Sequence, residues 1–260
     1  MSLDSIQHAA QDQFQKQSHR YAKGHILEDT ADVAAGLEGA ELPAGADALD
    51  VATGAGHTAF ALARAGYRVT ASDLTPAMLL RVSEGATERG LEVRTQLHSA
   101  EALPYADASF DLVTCRVAPH HFSSPADFVR ESARVLKPGG SFLVIDGTVP
   151  DDSPEAEEWL HQVEKLRDPS HNRLVPPREW RALCETSGLE VKKLSVAFRK
   201  QPDLEWYFET AATTAENRAK VRRLISSASA TVREAYRVAE EEGKIVWWWP
   251  MISVLAQKPG

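Results

Sequence analysis

Cysteine is scarce in this sequence. The two cysteines, Cys115 and Cys184, lie far apart and do not have the spacing of paired metal ligands. Disulfide scaffolds and structural zinc sites both need several cysteines at close, regular intervals, so both classes of protein are excluded. We therefore expect two reduced thiols in the core of a cytoplasmic protein, and we predict no metal site.

A long hydrophobic run is also absent. The most apolar segment near the C-terminus, residues 245–256, is only 12 residues long, whereas a transmembrane helix needs about 20 apolar residues. The first 16 residues are polar and contain nothing like the apolar core of a signal peptide. We therefore expect no integral membrane span.

Basic residues do not dominate the composition either. The sequence has 29 Lys and Arg against 37 Asp and Glu, which gives a formal net charge of −8. A protein with a broad nucleic-acid footprint carries a basic surface, so we expect no nucleic-acid partner. The 260 residues, of which 43% are hydrophobic, suffice for one large core with an appended lobe.

Strand-like and helix-like segments alternate through the first 150 residues. A tight turn is predicted at KPGG (137–140), and a helix is predicted to begin at Pro76 after Thr75 as N-cap. Strands are predicted over residues 47–52, 67–71, 91–96, 110–115 and 141–146. This alternation is typical of an α/β protein with a Rossmann-like, doubly wound parallel sheet.

The second part of the chain has a different pattern. Two more strands are predicted, and residues 204–242 between them are predicted to be almost wholly helical, as two helices. No flexible linker is visible, so we expect one domain over residues 1–260. Its expected parts are an N-terminal lid and helix (1–46), a cofactor-binding core (47–146), helical cap insertions (147–188 and 199–244) and final strands (189–198 and 245–257).

A glycine-bearing turn follows the first predicted strand. Residues 54–59, GAGHTA, fit the G-x-G-x-x-G/A pattern of a dinucleotide-binding loop. Glycines there let backbone N–H groups and the next helix approach a ligand closely. Asp73 ends the second strand, where a carboxylate can accept both ribose hydroxyl protons. The two features predict an adenosine cofactor, either NAD or S-adenosylmethionine.

Asp50 discriminates between these two cofactors. It ends the first strand, directly before the glycine turn. A carboxylate at this point would repel the pyrophosphate of NAD at short range. It suits the ammonium and sulfonium groups of S-adenosylmethionine, and this difference favours the latter cofactor.

These residues form part of a longer series of motifs. The series is DVATGAGHT (50–58), ASDL (71–74), SAEALPY (99–105), SFDLVTCR (109–116) and VLKPGGSF (135–142). In this order the motifs resemble class I S-adenosylmethionine-dependent methyltransferases, especially the ubiquinone/menaquinone-biosynthesis type and its bacterial small-molecule relatives. The resemblance implies a sheet of about seven strands, the last one antiparallel.

The resemblance also implies a set of cofactor-binding residues. The backbone of residues 52–56, with Asp50, would hold the methionine end, Asp73 the ribose and Leu74 the adenine of S-adenosylmethionine, with S-adenosylhomocysteine as product. Ala52 and Ser99 depart from the family pattern, which often has Gly at the first position and Asp or Asn at the second. The predicted set is Tyr21, Asp50, Ala52, Thr53, Gly54, Ala55, Gly56, Asp73, Leu74, Ser99, Ala100, Glu101 and Arg116.

Histidines are the candidates on the acceptor side. His120 and His121 follow the fourth strand, at the sheet edge where ligands bind in such folds. The segment RDPSH (167–171) resembles one found in a bacterial subgroup of the family. We predict catalytic roles for His121 and His171, while a packing or surface role stays an alternative for each histidine. The predicted acceptor-binding residues are His25, His120, His121, Arg167 and His171.

The sequence therefore predicts methyl transfer from S-adenosylmethionine to a small organic acceptor. Two alternatives stay open, an NAD-dependent oxidoreductase and an adenosyl-cofactor-binding protein without catalysis. The aromatic segments at 206–208 and 247–249 have three alternative roles: packing of core and cap, a wall for an aromatic acceptor, or the surface of a homodimer.

Overall fold

The structure, a computed structural model, describes residues 3–21 and 26–260, and for Arg20, Tyr21 and Ile26 it describes the backbone alone. Strands and helices alternate through most of the first 147 residues, as the sequence predicts, although the strands at 93–97 and 110–116 follow each other without a helix between them. The strands are β1 (Asp47–Val51), β2 (Arg68–Asp73), β3 (Val93–Leu97), β4 (Phe110–Arg116), β5 (Leu136–Gly147), β6 (Glu190–Lys200), β7 (Ala239–Glu241), β8 (Lys244–Val246) and β9 (Trp248–Gln257).

Ten α-helices and three short 3-10 helices accompany these strands in the described residues. The α-helices are α1 (Ser5–Gln17), α2 (Ala31–Gly36), α3 (His57–Arg64), α4 (Pro76–Arg89), α5 (Pro125–Val135), α6 (Pro154–Arg167), α7 (Pro177–Thr186), α8 (Leu204–Thr210), α9 (Ala215–Ser226) and α10 (Ala230–Ala235). The 3-10 helices are Ser18–Tyr21, Ile26–Glu28 and Pro119–His121. None of the described helices is both long and apolar enough to cross a membrane.

Seven strands form the main sheet, in the order β3-β2-β1-β4-β5-β9-β6. Strands β1 to β5 are parallel to one another, and β9 runs antiparallel to both β5 and β6. The predicted Rossmann-like sheet of seven strands with an antiparallel last strand is therefore confirmed. Because the parallel strands all end at one edge, the loops that follow β1, β2 and β4 meet there.

Successive residues of the central strands point to opposite faces of the sheet. Leu112 and Leu143 pack with the residues of α2, α3 and α4 on one face. Val113 and Val144 pack with α5 and α7 on the other face. Both faces of the sheet are thus covered by helices, which is why these strands are apolar along most of their length.

A third cluster of buried residues lies in the helical region after β5. Residues of α6, α8, α9 and α10 surround three large rings, Tyr207, Tyr236 and Trp247. The Tyr236 hydroxyl donates to the Ala156 carbonyl at 2.7 Å, and the Tyr207 hydroxyl donates to the Glu164 carboxylate at 2.7 Å. This helical cap therefore has a core of its own.

Two predictions of local structure are wrong. KPGG (137–140) is part of β5 and forms a bulge, because β9 and the residues after it continue to pair there: the Gly139 N–H donates to the Lys258 carbonyl at 2.9 Å. The region after residue 204 forms three helices instead of two, and its last part is a β-hairpin of β7 and β8. Over such short segments the residue pattern does not distinguish a turn from a bulged strand, or a helix from a hairpin.

We expect Phe128→Ala to destabilise the fold strongly. Phe128 is fully buried, and its ring packs against the rings of Phe122 and Phe142 at centroid distances of 5.0 and 5.6 Å. Removing a buried phenylalanine ring costs about 3–5 kcal/mol of unfolding free energy. Urea unfolding measures this loss, with Leu80→Ala as control because Leu80 is 56% exposed. Equal losses in the two variants would contradict the described core.

Candidate active site

The loop between β1 and α3 turns sharply at the end of the sheet. Gly56 caps α3 with φ of +90°, and a Cβ added there would lie 2.8 Å from the Phe60 ring. Ala52 also has a positive φ of 52°, a conformation that costs an L-residue roughly 1–2 kcal/mol. Glycine, which the family often has at this position, adopts a positive φ without strain. Ala52 adopts the left-handed conformation at this cost.

Asp73 connects the loop to the end of β2. Its Oδ2 accepts the Gly54 N–H at 2.9 Å, and its Oδ1 accepts the Thr75 N–H at 2.8 Å. Burial raises the pKa of this carboxyl, although the two backbone hydrogen bonds offset part of the effect. A carboxylate oxygen can accept more than one hydrogen bond, so both oxygens keep capacity for a ligand hydroxyl.

Asp50 connects the same loop to β4. Its carboxylate accepts the Thr53 hydroxyl at 2.6 Å and the Thr114 hydroxyl at 2.7 Å. The side chain is 1% exposed, and burial raises its pKa to about 6. Asp50 thus fixes Thr53 from behind the loop, and its predicted place at the methionine end of the cofactor stays a prediction.

A cavity with about 960 Å³ of empty space lies over these loops. Asp50 and Gly56 stay behind its wall, and the Tyr21 side chain is outside the described part of the chain. The predicted cofactor-binding residues that line it are Ala52, Thr53, Gly54, Ala55, Asp73, Leu74, Ser99, Ala100, Glu101 and Arg116. We refer to it as the first cavity.

Helix α1 covers this cavity as part of the predicted N-terminal lid and helix, but the sequence prediction did not name its residues at the site. The Gln11 side chain donates to the Leu74 carbonyl at 2.8 Å, and the Gln7 side chain donates to Ser99 and to Glu101. Ala10 and Phe14 complete this side of the wall. A signal was available, because Asp4 and Gln7 form a capping box that marks the start of a helix.

Ser99 and Glu101 are already engaged with neighbouring protein groups. The Ser99 hydroxyl donates to one Glu101 oxygen at 2.5 Å, and the other oxygen accepts the N–H and the hydroxyl of Ser123, each at 2.8 Å. These bonds hold the loop after β3 against the loop after β4. Both side chains line the first cavity while they position its wall.

Arg116 ties the N-terminal segment to the end of β4. The guanidinium donates to the Leu27 carbonyl at 2.8 Å, to the Asp29 carbonyl at 2.6 Å and to the Asp32 carboxylate at 2.9 Å. The residue is 9% exposed. The planar guanidinium satisfies three acceptors in different directions, which a lysine ammonium on its flexible stem does not reproduce.

A second cavity, with about 940 Å³ of empty space, adjoins the first under the helical cap. Four residues line both cavities: Phe14, Leu27, Val117 and His121. Val117 has a φ of +53°, which is an outlier for a β-branched residue. Strained backbone of this kind is typical of functional sites, and here it lies where the cavities meet.

The hydrogen bonds of His121 determine its tautomer. Nδ1 lies 3.0 Å from the Ser170 carbonyl oxygen, which can only accept, so Nδ1 carries the proton and Nε2 keeps its lone pair. The Ser170 hydroxyl donates in turn to the Asp168 carboxylate at 2.6 Å. Burial, with the charge of His120, lowers the pKa of His121 to about 4. The neutral ring is therefore a hydrogen-bond acceptor at neutral pH.

His120 has a carboxylate partner, unlike His121. Its Nδ1 lies 2.7 Å from Asp146, which also accepts the His120 backbone N–H at 2.9 Å. Burial by itself lowers the pKa of His120, but the charge and the hydrogen bond of Asp146, together with the charges of Glu164 and Asp168, outweigh it, so the net shift is upward. His120 lines the second cavity with Asp146 as its hydrogen-bond partner.

The RDPSH segment contributes to the second cavity at several points. His171 is 3% exposed and lines this cavity, and burial followed by the charge of neighbouring histidines lowers its pKa. Arg167 donates to Glu164 at 3.2 Å and to the Thr210 hydroxyl at 3.1 Å. His120, His121, Arg167 and His171 are thus brought together, whereas His25 is outside the described residues. Among the residues the structure describes, no group of three metal-binding side chains occurs.

Comparisons with known proteins agree with this geometry. The family described as "Methyltransferase domain" matches residues 49–144, from β1 into β5. The uncharacterized methyltransferase YcgJ of Bacillus subtilis is 40% identical over 177 residues, which cover 68% of this chain and 70% of that protein. The chain belongs to the class I S-adenosylmethionine-dependent methyltransferases. S-adenosylmethionine is its cofactor and methyl transfer its activity, and both alternatives left open by the sequence are set aside.

The crystal structure of YcgJ and one further relative agree with this methyltransferase assignment. The crystal structure of YcgJ superposes with a TM-score of 0.84 at 31% identity, covering 89% of this chain and all of that one. A ubiquinone biosynthesis O-methyltransferase of Xanthomonas axonopodis is 33% identical over 158 residues, which cover 59% of this chain and 66% of that protein. The predicted likeness to the quinone-biosynthesis type is consistent with this match.

We expect Arg116→Met to loosen the N-terminal segment of the methyltransferase. Losing three hydrogen bonds frees residues 27–32, so the amides of this segment should exchange faster with deuterium, and S-adenosylhomocysteine should bind more weakly. Hydrogen exchange with mass spectrometry measures the first effect and calorimetry the second. Arg68→Met is the control, since the Arg68–Asp47 pair is largely exposed. Unchanged exchange in Arg116→Met would show that the guanidinium does not hold the segment.

Asp50→Asn should remove a pH-dependent part of the stability. Because the pKa of Asp50 is about 6 in the folded chain and 3.8 ordinarily, the folded state binds a proton between these values and the unfolded state does not. This proton uptake stabilises the fold as the pH falls. Relative to Asp50→Asn, the unfolding free energy of the wild type should rise by about 2 kcal/mol between pH 7 and pH 4. A difference that is constant with pH, measured by urea unfolding, would refute the shift.

Proposed function

We propose that the methyltransferase acts on a small organic acceptor bound in the second cavity, with His121 as the residue that receives the acceptor's proton. The observation that carries this proposal is the place of His121, which lines both cavities. Its ring is held through Nδ1 by Ser170, so its remaining acceptor atom is Nε2. A general base must lie within reach of the acceptor's proton and keep an unprotonated nitrogen, and His121 would meet both conditions.

The residues of the first cavity fit S-adenosylmethionine. Asp73 would hold the ribose hydroxyls, since both carboxylate oxygens keep free acceptor capacity. The backbone of residues 52–55 and the start of α3 would hold the methionine end, and Leu74, Met78 and Ala100 give an apolar wall for the adenine. When bound, the cofactor supplies an electrophilic methyl group on its sulfonium.

The chain's own residues would contribute mainly alignment and the exclusion of water. Orientation of reacting groups can supply about 7–11 kcal/mol of a barrier, and a positioned base about 10²–10⁴-fold in rate. Phe14 packs edge-on against His121, with ring centroids 4.9 Å apart, and closes the junction on one side. Ser170 and Asp168 stabilise the imidazolium that forms when His121 takes the proton.

A small-molecule acceptor is favoured over a macromolecule by the position of the second cavity. It lies beneath the helical cap and is lined by residues of α6, α8 and β9. The net charge of −8 also disfavours nucleic acid. Trp247 and Tyr207 are buried in the cap, and Trp206 and Trp249 line the cavity, so the aromatic segments favour packing and acceptor binding over a homodimer surface. The two cysteines are buried free thiols, in keeping with a cytoplasmic location.

We expect His121→Ala to lower turnover by roughly 10²–10³-fold while S-adenosylhomocysteine still binds, because a base is lost and the cofactor residues remain. The assay follows tritiated methyl groups from S-adenosylmethionine into a small-molecule extract and then into the purified acceptor. Ser170→Ala is the companion variant, expected to lose less activity and to change its pH profile. Wild-type turnover in His121→Ala would exclude the proposed role.

A further inference from the structure

Three buried polar atoms of the second cavity have no hydrogen-bond partner among the described residues. They are Nε2 of His171, Oε1 of Gln201 and Nε1 of Trp249. Gln201 is fully buried and His171 is 3% exposed. All three residues line the second cavity and not the first. A buried polar group without a partner is unfavourable, so such atoms at a binding cavity point to a ligand that pairs with them.

Gln201 and Trp249 belong to neighbouring segments at the end of the sheet. The Gln201 N–H donates to the Trp247 carbonyl at 2.8 Å, directly after the paired positions Arg199 and Trp249 of β6 and β9. Residues two apart on a strand share a face, so Gln201 is on the same face as Trp249. The Gln201 side-chain amide donates to the Arg199 carbonyl at 3.3 Å, which leaves Oε1 as the acceptor.

The two residues therefore offer the second cavity one acceptor and one donor on the same face of the sheet. A hydroxyl group matches this pair, because it donates one hydrogen bond and accepts another. The nearby Trp206 and Trp249 rings, with Leu160, Leu174 and Met251, give the cavity apolar and aromatic walls. Walls of this type with a few polar atoms are typical of a site for a ring-containing ligand.

The charged groups of the cavity balance one another. Its lining holds two carboxylates, Glu164 and Asp168, and two guanidinium groups, Arg167 and Arg199. Glu164 accepts hydrogen bonds from Tyr207 and Arg167, and Asp168 accepts them from Ser170. A ligand with a full charge would upset this balance in a buried site, whereas a neutral ligand would not.

We propose that the acceptor is a neutral aromatic compound with a hydroxyl group distant from the methylated atom, and that Gln201 and Trp249 recognise this hydroxyl. His171 borders the same cavity and offers a further nitrogen to a polar substituent. The proposal rests on the proposed function, since it takes the second cavity as the acceptor site. Gln201 and Trp249 thereby become residues that determine specificity.

The test compares two ligands that differ in one hydrogen-bond donor. Calorimetry on the full chain saturated with S-adenosylhomocysteine measures the binding of 2-naphthol and of 2-methoxynaphthalene. The wild type should bind 2-naphthol about tenfold more tightly, because the methyl ether leaves Gln201 Oε1 unpaired. In Gln201→Met and Trp249→Phe the preference should fall toward onefold, while S-adenosylhomocysteine binds as before.

Trp180→Phe is the matched control. Trp180 also has an unpartnered buried Nε1 in the described structure, but it belongs to the sheet core and lines neither cavity. The preference for 2-naphthol should persist in this variant. Gln201→Met removes the unpaired oxygen together with the long hydrogen bond to the Arg199 carbonyl, so the melting temperature should change little. If Gln201 had a structural role alone, the substitution would lower the melting temperature.

Three results would overturn the proposal. They are equal binding of the two ligands by the wild type, an unchanged preference in Gln201→Met and Trp249→Phe, and an equal loss of preference in Trp180→Phe. The first would mean that water satisfies these atoms. If S-adenosylhomocysteine binds and methyl transfer proceeds in these cases, the proposed function stands and the inferred acceptor class fails. The proposed function itself would fail if the wild type transferred no methyl group to a small molecule.

Discussion

Two buried carboxylates hold the loop after β1, and the shape of the site depends on them. Asp73 accepts backbone N–H groups from the loop and from the start of the next segment, and Asp50 accepts the Thr53 and Thr114 hydroxyls. Asp73 thereby connects the end of β2 to the loop after β1, and Asp50 connects β1 to β4. These charge-assisted bonds help to keep the left-handed Ala52 and the start of α3 in place. The cost of burying them appears as raised pKa values.

The second organising contact joins parts of the chain that are 49 residues apart. His121 follows β4 and Ser170 follows α6, and their hydrogen bond connects the sheet edge to the helical cap. Through it, the segment that lines the second cavity also sets the tautomer of His121, where the two cavities meet. Val117, with its positive φ, lines both cavities at the same place.

The local motifs were predictable because parallel strands end at one edge of the sheet. This rule predicted Asp73 and His121 at one edge, and the family resemblance implied Ala100 and Arg116 beside them. Tertiary pairing decided what the sequence pattern could not: β9 turns KPGG into a bulge, and α1 lies over the cofactor cavity through Gln7 and Gln11. The positions of Gln201 and Trp249 depend on the register of β6 against β9, which no short motif encodes.

The central claim is that the two cavities serve donor and acceptor and meet at His121. A crystal structure of the chain with S-adenosylhomocysteine tests it most directly. The account predicts the adenine between α1 and Leu74, the ribose on Asp73, and the sulfur facing the opening bounded by Phe14, Leu27, Val117 and His121. A sulfur that faces away from this opening, or a product bound in the second cavity, would contradict it.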